Sequence, residues 1–186
     1  MNTLQHIRQA IAFAMVDGLK FSILWCIGFF CFFKGVGNST LGAIAICAIT
    51  FTPIAGCILA HKFKKEVREN GPINFGKAYI YSFLIYIFAS VIMAIFCFAY
   101  FNWIDNGAFA EAEIQALRSP EAIAAMQGTD FMAQMDLAAK QEGYKNFEDA
   151  ILNFSPINLA ASIFNMNFFI GALLALPTAL FAKTRD

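Results

Sequence analysis

The sequence predicts an all-α integral membrane protein: a four-helix transmembrane bundle with a helical extracytoplasmic insert between helices 3 and 4. Three observations predict it. Residues 78–101 carry no charge, and at about 1.5 Å per residue the stretch from Tyr79 to Tyr100 spans roughly 31 Å, the thickness of a bilayer's hydrocarbon core. The chain of 186 residues is 59% hydrophobic and 14% charged, whereas charged residues make up about 25% of a soluble domain. Finally, the charges segregate by sign: five bases fall between His61 and Lys77, whereas residues 104–155 hold nine acids against three bases.

The first span is expected over about residues 14–33. Phe21 to Phe33 is uninterrupted apolar or small, but this run covers only about 20 Å, so the helix must start near Ala14. Leu4, Ile7, Ile11 and Ala14 recur at helical spacing and predict a short amphipathic lead-in at the membrane surface. Asp17 and Lys20 then lie inside the span near one end, three apart and opposite in charge. One reading is an interfacial pair with Lys20 snorkelling to water. The other is a buried polar site facing the neighbouring helices, since ionisable groups in a membrane default to a functional role. Their place near the end favours the first.

Lys34-Gly-Val-Gly-Asn-Ser-Thr is a tight turn, and Asn38-Ser39-Thr40 matches a glycosylation sequon too close to the membrane to weigh much. Residues 41–60 form the second span, which has no charge. Pro53 should kink it by removing a bond to the Ile49 carbonyl, with Thr50 and Thr52 available to satisfy the freed backbone. Lys62, Lys64, Lys65, Arg68 and Lys77 surround a Gly71-Pro72 turn. The positive-inside rule makes this loop cytoplasmic, which explains the charges; contact with anionic lipid head groups is the further role open to them.

The third span covers 78–103, with Tyr79 and Tyr81 at one end and Tyr100 and Trp103 at the other as an interfacial aromatic belt. The acidic insert, 104–155, belongs on the opposite side of the membrane from the basic loop. Ser119-Pro120-Glu121 reads as a cap, an N1 proline and an acidic first turn. Apolar residues suggest one short helix before it, a second broken or bent near Gly128 and a third after Gly143. Ser155-Pro156 repeats the start signal for the fourth span, 157–182, and Gly171, Ala175 and Ala179 make a small-residue ridge for close helix contact. Asn165 and Asn167 sit in mid-membrane and point roughly 200° apart, so both cannot face one partner. Asp17, Lys20, Asn165 and Asn167 are therefore the candidate intramembrane polar site. Four spans with the basic loop inside place both termini in the cytoplasm, consistent with Lys183 and Arg185.

The run Asn70-Gly71, Phe75-Gly76-Lys77-Ala78, an aromatic-rich apolar stretch and Tyr100-Phe101-Asn102-Trp103-Ile104-Asp105 resembles a bacterial four-span membrane family, domain of unknown function 4199. Members have a proline after the Ile-Asp pair, where this chain has Asn106. The resemblance implies a multi-pass protein of the bacterial inner (cytoplasmic) membrane. It brings no activity, so no functional residue carries over.

No catalytic constellation is found in the sequence. His6 and His61 lack partners at metal-ligand spacing, and no nucleophile elbow or phosphate-binding glycine loop is present. Cys26, Cys31, Cys47, Cys57 and Cys97 all lie in apolar runs and read as small lipid-buried or helix-facing residues. No cofactor or metal is expected. Zero net charge offers no basic field for nucleic acid. The expected partners are the lipid bilayer and a membrane or periplasmic protein docking on the 104–155 insert. The favoured function is a non-catalytic accessory or partner-binding membrane component. The alternative is a small transporter or channel, which with four spans would need to be a homo-oligomer.

Overall fold

In the computed structural model, residues 3–67 and 72–183 are described. They form eight helices: α1 Thr3–Lys34, α2 Ser39–Val67, α3 Phe75–Trp103, α4 Ala108–Leu117, α5 Pro120–Met126, α6 Phe131–Gln141, α7 Phe147–Leu152 and α8 Pro156–Ala182. Four are long and apolar enough to cross a membrane: Arg8–Lys34 within α1, then α2, α3 and α8. Large apolar side chains such as Ile46, Ile95, Phe169 and Leu173 cover the bundle's outside, as lipid-facing surfaces require.

Helix ends follow local chemistry. Asn38 Oδ1 accepts from the backbone of Thr40 and Leu41 and so caps α2. The sequon asparagine thus has a structural task. Asn74 Oδ1 caps α3 through Lys77 N at 2.9 Å, and Ser119 caps α5 through Ala122 N. Ser155 occupies the cap position of α8, but its side chain makes no cap bond; Pro156 at the first turn does the work alone. The anticipated surface lead-in and first span are one continuous helix of 32 residues. Likewise α2 runs past residue 60 through its basic end, because Lys62 and Lys64 are good helix formers that reach water as the helix leaves the apolar layer. Pro53 lies inside α2 without ending it. The Thr52 hydroxyl turns to Ala48 O rather than to the Ile49 carbonyl that Pro53 frees.

α3 lies against α1 and α8, and α2 closes the ring by lying against α1 and α8 while touching α3 much less. Small residues permit these approaches. A Cβ on Gly18 would come 2.7 Å from Phe88 Cβ, and one on Gly28 would come 2.9 Å from Ala48 Cβ. One on Gly171 would lie 2.6 Å from Tyr86 Cβ, so the Gly171–Ala175–Ala179 ridge does serve close contact, with α3 as its partner. Tyr86 is almost fully buried. Its ring meets Phe21 edge-on at 5.3 Å and stacks on Trp25 at 6.2 Å, its hydroxyl lies 3.1 Å from Thr178 Oγ1, and it leaves no room for a Cβ on Gly56. One α3 side chain thus touches α1, α2 and α8.

The insert packs on one end of this bundle. Phe33, Tyr100, Phe101, Phe109 and Phe154 form an aromatic knot there, with centroids 4.7–5.7 Å apart, joining α1, α3 and the first and last parts of the insert. Asp105 Oδ2 accepts from Phe109 N at 3.0 Å and turns the chain from α3 into α4. Arg118 bridges α4 to Glu148 of α7 through two bonds of 3.0 and 2.7 Å, and Asp136 of α6 accepts from Phe147 N at 2.8 Å. The break at Gly128 is complete: α5 and α6 are separate helices, and Gly128 has φ +82°, a conformation that suits glycine.

Two outcomes follow. Tyr86→Phe, measured by reversible unfolding in detergent, should cost about 0.5–1.5 kcal/mol, since Thr178 keeps its bond to Leu174 O; Tyr86→Ala should cost about 3–5 kcal/mol. In the insert, the Arg118 guanidinium holds the Glu148 carboxyl below its ordinary value, whereas burial pushes Glu113 up. The Glu148 tie is therefore present above the ordinary carboxylate range and is lost as pH falls through the depressed folded value; the Glu113 shift acts in the opposite sense. A carboxylate NMR titration should place the Glu148 midpoint below that of Glu113, and the reverse order would refute this assignment.

Candidate functional site

Each oxygen of Asp17 has a partner. Asp17 is 4% exposed. Its Oδ1 pairs with Lys20 Nζ at 3.3 Å, and its Oδ2 accepts the Tyr81 hydroxyl at 2.7 Å. Gly18 sits against Ile85 O and Phe88 of α3, so α1 and α3 approach closely one residue from the carboxylate. That brings Tyr81 within reach. Tyr81 is itself pinned: Phe63 of α2 stacks on it at 3.7 Å and 8°, Phe13 of α1 meets Phe63 edge-on, and Leu59 O lies 3.2 Å from its hydroxyl. With one proton to give, the shorter, charge-assisted contact to Asp17 takes it. The Lys20 side chain is 53% exposed, so the site has one buried end and one that reaches outward.

This arrangement is a buried polar tie among α1, α2 and α3 near the end of the bundle that carries the basic residues. The carboxylate accepts two charge-assisted contacts, so nothing in its own coordination calls for a further ligand. Tyr81 could not be read from the sequence as its partner: the tyrosine reads equally well as part of an interfacial belt, and only the closeness of α1 and α3 distinguishes the two roles.

The asparagines do not join Asp17. Asn165 is exposed on the outside of α8, while Asn167 is buried, as their near-opposite directions required. Asn167 does not bind α3. It lines a cavity of about 410 Å³ between α1, α2 and α8, and its Nδ2 has no hydrogen-bond partner. Trp25 Nε1 crosses to Thr52 Oγ1 at 3.1 Å in the same wall.

At the other group of candidate residues, Lys62 pairs with Glu66 at 3.7 Å within α2. Lys64 Nζ donates to Lys183 O at 2.7 Å and ties the end of α2 to the end of α8. Lys65 is exposed and Lys77 half-buried. Arg68, the Gly71 turn and Arg185 lie outside the described residues. Among the described residues, no group of three metal-ligating side chains converges, and the five cysteines are unpaired.

Asp17→Ala should destabilise the bundle by about 1–3 kcal/mol, because it strips the buried Tyr81 hydroxyl of its best acceptor. Lys20→Ala should cost under about 0.5 kcal/mol, as an exposed member of an ion pair. Asp17→Asn keeps an acceptor for Tyr81 and should fall between. Unfolding titrations rank the three; a Lys20→Ala penalty equal to that of Asp17→Ala would contradict the assignment, and unchanged stability and growth with Asp17→Asn would argue against any functional role for this site.

No curated protein matches the chain, and no solved structure does. The family model described as protein of unknown function, DUF4199, matches residues 17–184. That range takes in all four long apolar helices from Asp17 onward, the insert and both polar sites, and the chain therefore belongs to the DUF4199 family.

Proposed function

We propose that this protein is a non-catalytic accessory component of the bacterial inner membrane, and that its insert docks a partner protein. Lys62, Lys64, Lys65 and Lys77 support placing that end of the bundle, with both termini, in the cytoplasm. The insert then faces outward.

The observation that carries the reading is the build of the insert. Its helices α4, α6 and α7 are tied together by specific side-chain bonds, Arg118 to Glu148 and Asp136 to Phe147, and the insert rests on the aromatic knot beneath it. Yet Ile123, Phe131, Leu137 and Leu152 remain exposed. A surface that is both fixed and apolar in places suits docking, because little ordering entropy is lost on binding. Its acidic background favours a partner with a basic rim.

A small oligomeric transporter is the second reading. Asn165 favours it: an amide exposed on the lipid-facing side of α8 lacks a partner that a neighbouring copy could supply.

A photo-crosslinking residue at Leu137 in living cells tests the first reading. It should yield one discrete protein adduct that disappears with Phe131→Glu and persists with Lys65→Gln. Adducts to lipid alone, or only to a second copy, would count against it.

A further inference from the structure

The cavity between α1, α2 and α8 has a composition that defines what it could hold. It is walled by Trp25, Phe29, Ile49, Pro53 and Ile170, and its volume of about 410 Å³ falls in the range of small-molecule sites. Among this apolar lining stands one buried polar group without a partner. Asn167 is 5% exposed, and its Nδ2 has no acceptor. Of the other polar side chains in the wall, Trp25 Nε1 donates to Thr52 Oγ1 and Thr52 donates to Ala48 O, while Thr50 lies exposed. A buried amide N–H in hydrocarbon without an acceptor costs free energy that a guest could recover.

Depth narrows the guest further. Asn167 lies eleven residues beyond Pro156, the start of α8, which is about 16 Å along the helix, near the middle of a hydrocarbon core about 30 Å thick. The ester carbonyls of a phospholipid sit at the edges of that core and do not reach this level. An acceptor oxygen can be brought there by a molecule that dissolves in the bilayer interior.

We propose that this cavity binds a lipid-soluble cyclic carbonyl compound of quinone type, entering from the bilayer, with its ring against Trp25 and Phe29 and its oxygen accepting from Asn167. The site is separate from the Asp17–Tyr81 tie and from the insert, and it stands whether or not the insert docks a partner.

Trp25 reports on occupancy. The chain has two tryptophans, and Trp103 is exposed at the end of α3, so Trp103→Phe leaves Trp25 as the sole emitter. The full chain with that substitution, in dioleoylphosphatidylcholine vesicles, is titrated with 2-methyl-1,4-naphthoquinone. Saturable quenching at about one equivalent per chain is expected, with the affinity weakened about fivefold or more by Asn167→Leu. Ile170→Phe, at a half-exposed position of the wall, keeps the amide and fills the space, and should abolish saturation even if Asn167→Leu fails to fold. Vesicles of acyl-chain-brominated lipid provide the second arm: at saturating naphthoquinone the ratio of Trp25 emission in brominated to that in unbrominated vesicles should rise towards one, because the guest displaces the brominated chain from the cavity. Linear, unsaturable quenching, an affinity indifferent to Asn167→Leu or Ile170→Phe, or bromine quenching that the naphthoquinone does not displace would each overturn the proposal, the last by assigning the cavity to a lipid chain.

Discussion

The bundle depends on the burial of one tyrosine at the point where its four long helices meet. Tyr86 projects from α3 and fills the space left by Gly56 on α2 and Gly171 on α8, while its ring faces Phe21 and Trp25 of α1. Lipid tails are as apolar as the helices, so no hydrophobic force drives these helices together; close packing and a few interhelical hydrogen bonds must do it. A large ring opposed by glycines gives dense contact, and its hydroxyl is satisfied across the interface by Thr178. The same logic recurs on a smaller scale where Gly18 admits α3 and brings Asp17 to Tyr81.

Around this centre the two ends of the bundle are closed differently. At the basic end, Phe63 stacks on Tyr81 and Phe13 meets Phe63 edge-on, and Lys64 reaches the carbonyl of Lys183. At the other end, the knot of Phe33, Tyr100, Phe101, Phe109 and Phe154 fastens the insert to α1 and α3. Six of the chain's 22 phenylalanines thereby serve to fasten the two ends of the bundle. Between the ends, the cavity lies in the wall shared by α1, α2 and α8.

Sequence alone reaches the four spans, the helical insert and the small-residue ridge of α8 because each rests on a one-dimensional signal. Hydrocarbon thickness sets span length, proline and glycine punctuate the insert, and a spacing of four residues aligns Gly171, Ala175 and Ala179 on one face. The opposite directions of Asn165 and Asn167 were equally legible, since helical geometry alone fixes them. What each side chain meets was not. Burial of Asp17 required knowing that α1 lies against α3, and the Tyr81 partnership required the closeness that Gly18 allows. The lone N–H of Asn167 became visible only once α8 stood beside α1 and α2. Lateral helix order carries no periodic trace in a sequence, and in lipid every helix is apolar on all sides, so the usual amphipathic clue to the buried face is weak.

The central claim is that Tyr86 and its glycines form one packed unit, and a double-mutant cycle between Gly56 and Tyr86 tests it most directly. In the native background, Gly56→Ala forces a methyl group into the Tyr86 hydroxyl and should cost about 1–3 kcal/mol of unfolding free energy in detergent. In a Tyr86→Leu background, where the ring end and hydroxyl are gone, that cost should fall close to zero and give a coupling of similar size. Additive penalties, with Gly56→Ala costing the same in both backgrounds, would contradict the account.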